Sequence, residues 1–148
     1  MQDYRASGQG DLELGGEMNE VIDDYDGIAR AVQLYIDGGA DGDVSKLKEA
    51  FHDDARMFGH VGGHRLDVPI AQFFDMAASG PMNSAGTYRA RVVSITQVGD
   101  AAQAVVAEDG CWGSVSFVDF FSLSRVDGRA WKIVSKTFAH TGGEIPKM

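Results

Sequence analysis

Cysteine, proline and long apolar runs are all scarce in this sequence, which contains one cysteine and three prolines. The single cysteine, Cys111, excludes a disulfide within the chain. We expect it to be a small packed hydrophobe, because no second cysteine or nearby histidine completes a metal or redox pair. No apolar run approaches the roughly 20 residues needed to cross a bilayer. Residues 1–20 show no basic segment followed by an apolar stretch, so no secretion signal is visible. These absences predict a cytoplasmic protein without a membrane partner.

Basic residues are in the minority, with 13 lysines and arginines against 22 acids and a net charge of −9. The acidity is concentrated in residues 1–26, which hold eight acids and one base. Because no basic stripe is present to neutralise phosphates, nucleic acid is not an expected partner. The acidic segment is also rich in glycine and poor in apolar residues, so we expect residues 1–20 to form a disordered arm.

The rest of the chain is long enough for one domain with a sizeable core, because hydrophobic residues make up 44% of the 148 residues. We assign this domain to residues 21–142 and a short tail to residues 143–148. No glycine-rich phosphate loop and no dinucleotide fingerprint occur in the sequence, so we expect no cofactor.

Helical spacing of apolar residues occupies the first half of the domain, and strand patterns occupy the second. The predicted helices span 21–37, 44–51 and 70–78, with Gly38-Gly39 ending the first and Asp43 capping the second. The predicted strands span 55–61, 64–67, 87–98, 101–108, 114–124 and 130–140, with turns that include residues 52–54 and 109–110. Helices segregated from antiparallel strands make an α+β fold, and a strongly curved sheet wrapped by those helices would enclose a cavity.

A single carboxyl group interrupts the apolar face of the strand at 114–124. Alternate side chains of a strand share a face. One face therefore carries Val115, Phe117, Asp119, Phe121 and Leu123, while the other carries Phe120 among serines. A buried and unpaired carboxylate is expensive, so Asp119 must pair, accept hydrogen bonds or stay protonated. The pattern leaves two roles open for Asp119, the acid of a ligand pocket or a structural hydrogen-bond anchor.

Two stretches of the sequence resemble the nuclear transport factor 2-like (NTF2-like) superfamily. Residues 32–43, followed by Leu47 and by Phe51-His52-Asp53-Asp54-Ala55, look like the opening of these domains, and residues 117–136 look like their last two strands. Among the subgroups, the sequence most resembles the one named putative lumazine-binding, alongside SnoaL-like polyketide cyclases. The resemblance covers roughly residues 24–140. It implies a cone-shaped, curved antiparallel β-sheet wrapped by three N-terminal helices, a fold that hosts isomerases, dehydratases, hydrolases, cyclases and non-catalytic binders.

Ketosteroid isomerase, a distant member, offers a sharper comparison. That enzyme holds a substrate oxygen with a tyrosine and a protonated aspartic acid, and a second carboxylate acts as the base. By position, Tyr35 resembles the tyrosine and Asp119 resembles the protonated acid. The base would fall at Gly59, which has no side chain to act with. The neighbouring His60 would point to the other face unless a bulge intervenes, so the resemblance implies that the base is absent or replaced.

The histidines of the predicted hairpin leave further alternatives open. His60 is an acid–base candidate, because imidazole titrates near neutrality. His60, His64 and Asp67 also suggest a metal site, but no further ligand is evident and we expect no metal. The simplest alternative to both is a polar hairpin at the mouth of a pocket.

The expected pocket is apolar apart from these groups. Its predicted lining consists of Phe51, Met57, Phe74, Trp112, Phe117 and Phe121. Outside the pocket, Phe120 lies on a mixed strand face that needs a cover. The family resemblance implies sheet-to-sheet homodimers, which would supply that cover.

Two functional hypotheses follow from the sequence. The first is a small-molecule-binding protein whose apolar pocket holds a ligand oxygen through Tyr35 and Asp119. The second is a cofactor-independent enzyme of isomerase, dehydratase or cyclase type that acts on a hydrophobic carbonyl compound, with Tyr35, Asp119 and His60 as catalytic residues. The missing carboxylate at position 59 favours the first hypothesis.

Overall fold

Three helices and six strands make up the protein in a computed structural model that describes residues 10–128 and 130–146. The helices are α1 (Gly10–Asp41), α2 (Val44–Ala50) and α3 (Ile70–Ser79). The strands are β1 (Phe51–Val61), β2 (His64–Pro69), β3 (Arg89–Val98), β4 (Ala101–Cys111), β5 (Val115–Val126) and β6 (Ala130–Gly142).

All six strands form one sheet in the order β2-β1-β6-β5-β4-β3. Strands β3 to β6 make the predicted antiparallel meander, and the α+β class is confirmed. The sheet is mixed rather than purely antiparallel, however, because β1 pairs with β6 in parallel. The chain leaves the β1–β2 hairpin through α3 and the meander, and it returns beside β1 in the same direction. The helices pack against one face of this curved sheet and enclose the core with it.

The first helix is longer at both ends than its apolar spacing predicts. It begins at Gly10 instead of residue 21, so residues 10–20 are helical where the sequence predicted disorder. The expectation for residues 1–9 lies outside the described residues. The helix also continues through Gly38 and Gly39 and ends at Asp41, and the next residue, Gly42, has a φ of +69°, the left-handed conformation typical of a residue that terminates a helix.

Two predicted turns are strand instead. Residues 52–54 belong to β1, which starts at Phe51. The pairing of β1 with β6 shifts its register between Phe51 and Arg56. Residues 109–110 belong to β4, where a second register shift follows Glu108 and the turn comes later, at residues 112–114. A bulge lets a strand keep its pairing past residues that favour a turn, so glycine and aspartate mark irregular pairing here rather than chain reversal.

The predicted inward row of β5 is confirmed, since its five members, Asp119 included, are all buried. Cys111 is also buried, and burial raises the pKa of its thiol to about 12, so it remains a protonated, packed side chain. On the outer face, Phe120 is 46% exposed. The dimer expected to cover it stays a prediction. Within the described part of the chain, no helix combines the length and apolarity needed to cross a membrane.

We predict that Gly42→Ala destabilises the protein more than Gly99→Ala. Both glycines have positive φ, +69° and +58°, so both alanines incur left-handed strain of about 1–2 kcal/mol. A Cβ at Gly42 would also lie 2.8 Å from the Ala77 carbonyl oxygen, whereas nothing lies within 4 Å of a Cβ at Gly99. Overpacking of this kind adds about 1–3 kcal/mol. Urea denaturation measures both losses, and equal losses would contradict the close packing of α1 against α3.

Candidate functional site

Five polar side chains meet inside the cone, and we call them the buried polar cluster: Tyr35, Tyr88, Glu108, Asp119 and Lys136. Tyr35 and Asp119 are 0% exposed, Glu108 is 3% exposed and Lys136 is 5% exposed. Burial of so many polar groups in one place is unusual for a domain of this size, and it marks the cluster as the candidate site.

Strand register places Glu108, Asp119 and Lys136 side by side. Glu108 pairs with Phe117 across β4 and β5, and Lys136 pairs with Phe121 across β5 and β6. Asp119 lies between these two phenylalanines on β5, so Glu108 and Lys136 are both its diagonal neighbours on the inner face. Diagonal neighbours are within reach of long side chains. Tyr35 approaches the same spot from α1.

The hydroxyl of Tyr35 lies between the two carboxyl groups. Its Oη is 2.8 Å from Asp119 Oδ2 and 3.0 Å from Glu108 Oε2, and Tyr88 Oη is 2.7 Å from the same Glu108 oxygen. A phenol has one proton, so Tyr35 donates to one carboxyl group only. The second contact is a hydrogen bond only if that carboxyl group carries a proton of its own.

Glu108 supplies that proton. Burial raises the pKa of Glu108 well above its ordinary value, and the nearby Asp119 carboxylate raises it further. Asp119 instead forms an ion pair with Lys136, whose Nζ is 3.6 Å from Asp119 Oδ1. Tyr88 therefore donates to Glu108 and Tyr35 donates to the Asp119 carboxylate, while a hydrogen bond between the Glu108 and Asp119 side chains also raises the pKa of Glu108. Burial, followed by the neighbouring carboxyl charges, also raises the pKa of the Tyr35 phenol, so this chain of donors keeps its protons.

The neutral acid of the site is thus Glu108, whereas the sequence comparison implied Asp119. Burial is the main cause of the raised Glu108 pKa, and Asp119 is the carboxyl group that contacts Lys136, at 3.6 Å. Sequence reasoning named neither Glu108 nor Lys136 as a site residue. Glu108 had a usable signal, since it continues the inward row of Ala102, Ala104 and Val106 on β4.

Lys136 is surrounded by rings and sulfur. Its Nζ lies 4.6 Å from the centre of the Phe138 ring, 4.9 Å from that of Phe73 and 3.8 Å from the Met57 sulfur. Asp119 Oδ1 is buried and accepts no hydrogen bond from the residues that the structure describes. The amine and this oxygen therefore form a close but incompletely bonded pair in apolar surroundings.

The predicted lining residues extend from this cluster in two groups. Phe121 and Phe51 pack on the Tyr35 ring at centroid distances of 4.8 and 6.1 Å, and Phe74 packs on Phe51 at 5.7 Å. The second group is an edge-to-face row in which Phe117 contacts Phe138 at 5.6 Å and Trp112 at 6.0 Å. Met57 contacts the cluster through Lys136. The six residues thus form two aromatic groups together with Met57, which we call the apolar wall, and their role as the lining of a ligand pocket stays a prediction.

The positions considered for a general base are arranged differently. Gly59 pairs with Phe138, and a Cβ at Gly59 would lie 2.7 Å from Phe138 Cε1. The Phe138 ring thus fills the space that a base at residue 59 would need. His60 is exposed and stands apart from the buried polar cluster. It lines a groove of about 320 Å³, which we call the His60 groove, together with Gly62, Gly63, Phe138, Ala139 and His140.

The structure does not bring His60, His64 and Asp67 of the β1–β2 hairpin together as a metal site. Asp67 pairs with Arg56 at 3.0 Å rather than with His60 or His64. Across residues 10–128 and 130–146, no group of three histidine, cysteine or carboxylate side chains is arranged to hold a metal ion. A larger groove of about 470 Å³ lies at the surface between α1 and the β5–β6 turn, where Arg125 pairs with Asp24, and it does not reach the buried polar cluster.

Comparisons with known proteins agree with this architecture. An NTF2-like protein of unknown function from Methylobacillus flagellatus is 34% identical, with a TM-score of 0.73 over 81% of this chain and 94% of that one. A ketosteroid isomerase-like protein from Erwinia carotovora shares the fold at 15% identity, with a TM-score of 0.62 over 78% of this chain and 95% of that one. An aldolase from a Cladobotryum species, FrzH, is 25% identical over 115 residues, which are 78% of this chain and 90% of the relative.

The family assignment rests on most of the chain. The sequence pattern of the family described as putative lumazine-binding matches residues 23–139, which include every member of the buried polar cluster. The chain therefore belongs to the putative lumazine-binding family of NTF2-like proteins.

Proposed function

We propose that the protein binds a small, largely apolar molecule inside the cone, holds a carbonyl oxygen of that molecule at Tyr35 and Glu108, and accepts a hydrogen bond from it at Asp119. One observation carries the proposal. Asp119 Oδ1 is a fully buried acceptor without a hydrogen bond from the described residues. Leaving such a group unsatisfied costs about 1–3 kcal/mol. A protein that needed only a stable core would gain by avoiding this cost, and buried groups of this kind concentrate at functional sites.

The chemistry of the cluster suits a ligand with a carbonyl group. The Tyr35 hydroxyl and the protonated Glu108 carboxyl are two donors that bond to Asp119 in the structure, and a ligand oxygen would accept from both by taking the place of that carboxylate. Asp119 would accept a hydrogen bond from a neighbouring N–H or O–H group of the ligand. The aromatic wall favours a flat ring system. The family is described as putative lumazine-binding, and lumazines are flat heteroaromatic rings that carry carbonyl and N–H groups.

We propose that the ligand enters the site from the His60 groove. Phe138 lines this groove, and its ring centre is 4.6 Å from Lys136 Nζ. Rotation of the Phe138 side chain would connect the groove with the buried polar cluster. His60 lies at the entrance, where we keep it as a candidate for proton exchange with solvent.

A second candidate function is catalysis of an isomerase, dehydratase, cyclase or aldolase type. The observation that favours it is the pairing of a protonated carboxyl group, Glu108, with a carboxylate, Asp119, through one phenol. Such a pair provides an acid and a base within one site. Asp119 would remove a proton next to the carbonyl group, while Tyr35 and Glu108 would stabilise the enolate. The aldolase FrzH, a relative by sequence, is named for chemistry of this kind.

We predict that the protein is stabilised by at least one member of a panel of lumazines, flavins, steroid-like ketones and aromatic polyketide fragments. A ligand at about 100 times its dissociation constant adds about 2.7 kcal/mol, which raises the melting temperature by several degrees. Tyr35→Phe should abolish the shift, because it removes the hydroxyl that binds the ligand oxygen. Tyr25→Phe is the matched control, since Tyr25 is 53% exposed on the same helix. A flat response across the panel, or an undiminished shift in Tyr35→Phe, would contradict the proposed function.

We predict that the free energy of unfolding of the wild type falls as pH rises because of Glu108, and that Glu108→Gln abolishes this contribution. The folded protein holds the Glu108 proton above the ordinary pKa of 4.5, where the unfolded chain has released it. Stability therefore falls with rising pH by up to about 1.4 kcal/mol per pH unit until Glu108 ionises in the folded state. The free energy of unfolding of Glu108→Gln relative to wild type should increase with pH above about 4.5.

Denaturation series at several pH values measure this difference. Glu49→Gln is the control, because Glu49 pairs with Arg30 at the surface and its side chain is 48% exposed. A difference between Glu108→Gln and wild type that does not change with pH would show that Glu108 is ionised in the folded protein at the pH values tested.

A further inference from the structure

We propose that Lys136 is a nucleophilic amine that forms an imine with the carbonyl carbon of the bound ligand. The inference rests on the proposed function, because it takes a carbonyl ligand at the buried polar cluster as its starting point. It assigns to this site a covalent step that hydrogen bonding alone does not require.

The position of the Lys136 amine supports this role. Nζ lies on the inner face beside Asp119, and its surroundings are the Phe73 and Phe138 rings and the Met57 sulfur. These neighbours leave the amine poorly hydrated, and Asp119 is the one carboxylate placed to take a proton from it. The ligand oxygen, held by Tyr35, would place the carbonyl carbon near this amine, because Tyr35 Oη and Lys136 Nζ lie 2.8 and 3.6 Å from the two oxygens of the same Asp119 carboxyl group.

A purely structural ion pair would be bonded differently. Buried ion pairs offset the loss of hydration only when good geometry and additional hydrogen bonds satisfy both partners. Lys136 Nζ is instead 3.6 Å from Asp119 Oδ1, beyond a hydrogen bond, and the ion pair is therefore not closed by a direct N–H···O contact. This ion pair is poorly arranged to stabilise the core. Its geometry instead suits an amine that must lose its proton and move toward a ligand.

The neighbouring groups supply and recover every proton that the reaction needs. The Lys136 ammonium passes one proton to Asp119, and the neutral amine adds to the carbonyl carbon, forming the C–N bond. The electron pair of the C=O bond moves to oxygen, which gains a proton from the Tyr35–Glu108 side, while the nitrogen returns one there. Asp119 then protonates the resulting hydroxyl, water leaves, and a protonated imine remains. The net change is ammonium plus carbonyl giving iminium plus water, with both carboxyl groups as they began.

Acetylacetone is a direct probe for such an amine. This small 1,3-diketone condenses with a neutral primary amine to a stable vinylogous amide, which absorbs in the near ultraviolet and adds the mass of the diketone less one water. We expect the full-length protein, treated with a slight molar excess, to form one adduct per chain, located on Lys136 by peptide mass mapping.

Two variants separate the proposal from general lysine reactivity. Lys136→Arg keeps a positive charge beside Asp119 but does not form an imine, so the adduct should disappear. Lys132→Arg is the matched control on the same strand, since Lys132 Nζ is at the surface and donates to the Glu49 carbonyl oxygen at 2.6 Å. It should react like wild type. An unreactive wild type, an adduct on another lysine, or an adduct that persists in Lys136→Arg would overturn the proposal.

The ligand panel distinguishes failure of this step from failure of the proposed function. If Lys136→Arg and wild type are both stabilised by a carbonyl ligand while wild type forms no adduct, the ligand site stands and the imine is wrong. If neither protein is stabilised and wild type forms no adduct, both proposals are wrong. An adduct on Lys136 together with stabilisation of wild type supports both.

Discussion

A chain of hydrogen bonds runs through the core from Tyr88 through Glu108 and Tyr35 to Asp119, where it meets Lys136. Its members come from α1, β4, β5, β6 and the segment before β3, so the chain is possible only when all of these elements are in place. Each buried carboxyl group is tolerable for a different reason, Glu108 because it is protonated and Asp119 because a cation is nearby. The fold and the protonation state of the site therefore depend on each other.

The apolar wall explains why these interactions are strong enough to matter chemically. Phe51, Phe73 and Phe121 surround the Tyr35 ring, and the Phe138 ring closes the side that faces the His60 groove. In such surroundings the attraction between charges is screened far less than in water. The same surroundings make an incompletely bonded oxygen on Asp119 expensive. Binding of a carbonyl ligand, with or without imine formation, would give the Asp119 oxygen a hydrogen-bond partner and would remove that free-energy cost.

Much of this architecture is predictable from local patterns. The α+β class, the meander, the Asp43 cap and the inward row of β5 follow from periodicity and turn residues, and the structure confirms each of them. The meeting of Tyr35 and Asp119 is predictable from the family resemblance. Lys136 is not, because a bulge between Ile133 and Ser135 changes which residues of β6 face inward. Simple alternation would group Lys136 with the half-buried Lys132 and not with Ile133, and pairing with β5 is what decides the matter.

Carbon-13 NMR of protein labelled at the glutamate side-chain carboxyls tests the central claim most directly. A titration would follow each carboxyl resonance, and Glu108→Gln would assign the one of interest. We expect the Glu108 resonance to keep the chemical shift of a protonated acid at neutral pH, well above the ordinary pKa of 4.5. If Glu108 titrates near that ordinary value, the donor chain from Tyr88 to Asp119 does not exist in the form described, and the acid–base pairing at the site is wrong.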